Sequence, residues 1–192
     1  MTYTPLDPKR AVFLFVDLQV GTIELSATNE PAHVRRSVGA MAKLAHLFDI
    51  PVIVTTVPSE GGARVIPEIG AALGDLPQQV RNTTDAFTHL RTRDAITKTG
   101  RKTLLIAGVA TEIIVQHSAL SAAAQGFEVQ VVIDACGGLS PRTEDAALRR
   151  LTQSGVAIVS VASIGGQLAG DFSTSVGNQA MGVLYELTSH SR

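Results

Sequence analysis

A chain of 192 residues with 45% apolar and 17% charged residues can bury a core without a disulfide or structural metal, and this composition excludes a disordered chain. A formal net charge of -1 with no long Lys/Arg block excludes the basic footprint of a nucleic-acid-binding protein. The single cysteine excludes an internal disulfide and a Cys-x-x-Cys metal site, and no apolar run of about 18 residues is present to cross a membrane as a helix.

Residues 1–10 contain prolines and no long apolar stretch, unlike a signal peptide, so a cytoplasmic domain is expected. Residues 11–16 then form a continuous apolar run closed by Asp17. Further runs rich in Val, Ile or Leu lie at 52–57, 103–109, 127–133 and 156–161. Runs of that kind suit strands covered on both faces, as in a parallel sheet. Helices are expected between them, at 31–48, 90–99, 111–125 and 141–154. Pro31 and Pro141 occupy first-turn positions, Ser140 suits an N-cap, and Gly100, Gly126 and Gly155 stand where helices stop.

Residues 60–62 and 70–77 read as loops. Gly165-Gly166 together with residues 170–177 reads as a flexible break, and residues 179–188 as a helix or partner-binding arm. The expected organisation is one domain over residues 1–192, with 170–192 as a C-terminal arm or helix. Alternating strands and helices define an α/β fold, a doubly wound, mostly parallel sheet. Ligands on such sheets bind beyond the carboxyl ends of the strands, where the strand order reverses. Asp17 and Thr111 follow two of the strands at that edge.

Four segments carry a resemblance: Val16-Asp17-Leu18-Gln19, Arg81 with Asp85-Ala86-Phe87, Ala107-Gly108-Val109-Ala110-Thr111-Glu112, and Ile133-Asp134-Ala135. In this order and spacing the chain resembles the isochorismatase-like hydrolase family from about residue 10 to about residue 169. The resemblance implies a three-layer α/β/α fold. It also implies a site of aspartate, lysine and cysteine, with a non-proline cis peptide at Val109-Ala110.

Asp17 matches the family aspartate, the acid or base of the reaction. Arg81 aligns with the lysine; it keeps the charge but does not readily release a proton. Ile114 stands where the family carries its nucleophilic cysteine, at a helix start that lowers a thiol's pKa. Isoleucine cannot attack a carbonyl, so acyl-enzyme chemistry at position 114 is excluded. The isochorismatases proper also lack the cysteine, but they carry glycine there.

Gln19, Thr56, Phe87 and Thr111 are the candidate substrate-binding residues, and backbone N–H groups between Val109 and Ile114 the candidate oxyanion donors. Cys136 is on the same sheet edge as a conceivable substitute thiol, against which stands the tendency of cysteine to be buried and inert. His117 and Ser118 are adjacent on one helix and point apart, so they do not form a nucleophile and its base. Nicotinamidase-type relatives carry metal-binding histidines after the second strand. Residues 55–60 hold none, and no metal or cofactor is expected.

Two functions compete. One is a hydrolase of a small amide, imide or enol ether, using Asp17 and water. The other is a catalytically silent relative that binds a small ligand or serves as an assembly subunit. The family commonly forms dimers or larger rings, so a homo-oligomer is expected, with the small residues Ala119, Ala122, Ala123 and Ala124 as one possible contact face.

Overall fold

In the computed structural model, residues 5–60 and 62–189 are described; Gly61 of the expected 60–62 loop and the ends of the chain lie outside them. Six parallel strands run β1 (Ala11–Val16), β2 (Val52–Thr56), β3 (Gln78–Val80), β4 (Thr103–Gly108), β5 (Glu128–Val132) and β6 (Ala157–Val159). Their spatial order is β3-β2-β1-β4-β5-β6, so the order reverses between β1 and β4. All strand pairs are parallel.

β1 shows why the sheet is covered on both faces. Side chains alternate along a strand. Ala11, Phe13 and Phe15 join one apolar cluster, while Val12, Leu14 and Val16 join the other. All six are fully buried. The first cluster also takes in Val34, Val38 and Met41 of α1 (Pro31–Leu47), Ile69 of α2 (Pro67–Leu73) and Ile164 and Leu168 of α6 (Val161–Ala169). α7 (Ser175–Ser189) packs on α6 and α1. The second cluster takes in Ile96 of α3 (Leu90–Lys98), Ala119 and Ala122 of α4 (Gln116–Ala124) and Leu151 of α5 (Pro141–Gln153). The result is the expected three-layer α/β/α arrangement.

Three expectations need correction. Residues 70–77 are not one loop, because α2 runs through Leu73 and β3 begins at Gln78. Gly165-Gly166 is not a break. It lies inside α6, where a Cβ on Gly165 would press on the Leu184 side chain of α7, so glycine there lets two helices approach. Ala119 and Ala122 are fully buried against the sheet rather than offered to a partner.

Candidate active site

At the end of β1 the chain turns sharply. Asp17 has φ 55°, a left-handed conformation that aspartate tolerates better than most residues. Its N–H donates to the Thr55 carbonyl at 3.1 Å, and its own carbonyl accepts from the Gln19 N–H at 2.8 Å. This reversal leaves a carboxylate at the sheet's switch point, 6% exposed.

Arg81 follows β3, its N–H bonded to the Thr56 carbonyl at 2.9 Å. Its Nη2 lies 2.5 Å from Asp17 Oδ2. Nε donates to Thr55 Oγ1 at 3.4 Å, and Nη1 donates to the Thr83 carbonyl. Each guanidinium nitrogen thus faces a protein oxygen, and the residue is only 2% exposed. Asp17 Oδ1 is buried and has no hydrogen-bond partner among the described residues, and Arg81 Nη2 has the ion-pair contact with Oδ2 but no hydrogen bond there. Burial pushes the Asp17 carboxyl above its ordinary value of 3.8, against the opposing pull of the Arg81 charge.

The neighbouring limb comes from β4. A Cβ on Gly108 would collide with the Val16 carbonyl, so glycine is what allows β4 to close on β1 at this edge. The Val109-Ala110 peptide is cis. It leads into a π-helical turn over Thr111–Val115, with Val115 N–H donating to the Ala110 carbonyl at 3.4 Å. Wide turns of this kind recur at functional sites. Here the turn sets Ile114, 2% exposed, in the wall of a cleft that also contains Asp17, Arg81, Val109 and Ala110.

That cleft has a volume of about 410 Å³. Val57, Pro58 and Ile113 continue its apolar wall, Leu25 and Leu139 form an exposed apolar rim, and Thr22, Asn82, Thr83 and Thr84 supply its remaining polar groups. None of Leu25, Leu139 or Thr83 stands out in the sequence, since each lies outside the strands and the four segments that mark the site. Thr55 was missed for another reason. Neighbouring strand residues face opposite ways, and the sequence reading selected Thr56 instead.

The four residues expected to bind substrate stand behind the cleft wall. Gln19 is fully buried and clamps β1 to β2: its Nε2 donates to the Val57 carbonyl at 3.0 Å, and its Oε1 accepts from the Val57 N–H at 2.7 Å. Thr56 and Thr111 are fully buried; Thr111 Oγ1 donates to Glu144 Oε1 at 2.7 Å. Phe87 stacks edge-on against Phe127, ring centroids 5.6 Å apart, in the second apolar cluster. They support the site without lining it.

Cys136 is fully buried in the same cluster, and burial pushes its thiol up to about 12, so it supplies no thiolate at neutral pH. Ser118 Oγ accepts from the Ala86 N–H at 2.9 Å, a structural task. Among the described residues, no group of three or more His, Cys, Asp or Glu side chains is gathered to hold a metal. No helix among them is long and apolar enough to cross a membrane.

An all-parallel α/β/α domain with a buried acid and cation where the strand order reverses defines a class of small-molecule site. Residues 11–163 match the isochorismatase domain model, and the chain belongs to that family. It is 35% identical over 176 residues to the "probable hydrolase YcaC" of Escherichia coli, covering 91% of this chain and 85% of that protein. The structure of the E. coli YcaC product, described as an octameric hydrolase of unknown specificity, superposes with a TM-score of 0.86 at 32% identity, covering 100% of this chain and 98% of that one. YcaC from Pseudomonas aeruginosa, solved with hexane-2,5-diol and covalent acrylamide, superposes with a TM-score of 0.88 at 31% identity over the whole of both chains.

Proposed function

We propose that this protein is a hydrolase of the isochorismatase family acting on a small amide, imide or enol ether, with Asp17 as acid or base and no thiol nucleophile. The observation that carries this reading is the Asp17 carboxyl in the wall of a cleft of about 410 Å³, with its buried Oδ1 lacking a hydrogen-bond partner among the described residues. A buried acceptor left unpaired costs free energy, and a substrate or water proton satisfies it. Arg81 holds the other oxygen, Oδ2, which fixes the carboxyl in the cleft wall.

For an amide, ionised Asp17 takes a proton from water as the water oxygen bonds to the carbonyl carbon. The same proton then passes to the departing nitrogen as the C–N bond breaks. For an enol ether, neutral Asp17 protonates the alkene carbon. Water adds to the resulting oxocarbenium ion and returns a proton to Asp17. The hemiketal then breaks its C–O bond, its hydroxyl proton passing to the departing oxygen, to give an alcohol and a carbonyl compound. Backbone N–H groups of Ala110, Glu112 and Ile114 are the candidate oxyanion donors, since those of Val109, Thr111, Ile113 and Val115 already donate to backbone carbonyls.

The silent alternative requires Ile114 to fill the space left by the family thiol. The cleft beside Ile114 is open and reaches Asp17, which favours turnover. The pH dependence of kcat/KM tests the assignment. Asp17 is raised by burial, so one ionisation is expected above 3.8. Activity rises with pH through it if Asp17 is the base and falls if it is the acid. A profile flat through the acid range overturns the role.

A further inference from the structure

Resting on the reading of this cleft as the substrate site, we infer that it takes neutral, largely apolar carbonyl compounds and rejects carboxylates. Among the described residues that line it, Asp17 and Arg81 alone carry charge, and they neutralise each other in a 2.5 Å ion pair. Arg81 is not a free anion receptor. Its Nε and Nη1 are held by Thr55 and Thr83, its Nη2 by Asp17, and its side chain is 1% exposed.

A substrate carboxylate entering the cleft therefore meets Val57, Val109, Ile113, Ile114 and the Asp17 carboxyl, with no free cation among the described lining residues to replace its lost water. Burying an unpaired charge is costly, and a like charge nearby adds to that cost. A neutral amide presents no such charge, and its N–H can donate to the Asp17 carboxyl while its alkyl part lies along Ile113, Leu25 and Leu139. The same argument removes isochorismate, a dicarboxylate, from the candidate substrates. The threonines and Asn82 at the mouth offer hydrogen bonds but no charge.

The test compares two probes of equal length, hexanamide and hexanoate, by titration calorimetry with the full chain at neutral pH, and repeats both with Thr84→Arg. Thr84 is exposed on the cleft wall, so a guanidinium there supplies the missing free cation without disturbing the core. The expected result is hexanamide binding at least about tenfold tighter than hexanoate, with Thr84→Arg shifting the ratio of the two affinities by about tenfold toward hexanoate. Hexanoate binding the natural protein as tightly as the amide overturns the inference. So does failure of both probes to bind, or an arginine at position 84 that leaves the preference unaltered. Hydrolysis of hexanamide is followed separately. Its absence alongside the expected preference counts against the hydrolase reading alone, and leaves the ligand class standing.

Discussion

The proposed chemistry turns on how two buried side chains are held. Asp17 and Arg81 were both legible from the sequence, the first by its place after an apolar run and the second by its offset from Asp85-Ala86-Phe87. Their partners were not legible, because hydrogen bonds to Thr55 and the Thr83 carbonyl depend on the path of a loop. That path pairs Arg81 with Asp17, and in the proposed mechanism it positions Asp17 rather than binding substrate charge. Arg81→Ala leaves the Asp17 carboxylate buried with no counter-charge, so urea unfolding should show a loss of about 3–5 kcal/mol. The ionisation seen in kcat/KM should also move further upward, because the one charge that lowers the Asp17 pKa has gone. A loss below about 0.5 kcal/mol would show that the pair is not buried as described.

At the level of elements, the strands built from continuous apolar runs were readable because both sheet faces are covered, so burial needs no alternation. β3 was missed: it is a three-residue edge strand of polar composition with Gln78 and Val80 exposed. α2 and α6 were obscured by glycines that local propensity reads as breakers. In α6 the reason is tertiary, the approach of Leu184 to Gly165. Gly108 is the equivalent device beside the site. Gly108→Ala places a methyl group against the Val16 carbonyl, forcing β1 and β4 apart next to Asp17. The expected cost is about 1–3 kcal/mol, read as a lowered thermal midpoint together with reduced turnover. An unchanged midpoint would mean that the strand ends have room to spare.

For the whole molecule, the strand order decides where the candidate site sits. Reversal between β1 and β4 opens the sheet's carboxyl edge at the point where Asp17 and the Val109-Ala110 peptide meet. Assembly is the other property of this scale. We propose that the protein forms a homo-oligomer, as the octameric E. coli relative does. Exposed apolar side chains outside the cleft, among them Leu90, Phe172 and Tyr185, suit contacts between copies. Sedimentation should find a species several times heavier than the 20.1 kDa chain; a lone 20.1 kDa species removes the proposal. The account as a whole is tested most directly by kcat/KM for Asp17→Asn, which keeps the shape of the side chain but cannot exchange the proton. With the fold intact by circular dichroism, turnover of any substrate found should fall by at least about 100-fold. Turnover equal to that of the natural protein would contradict it.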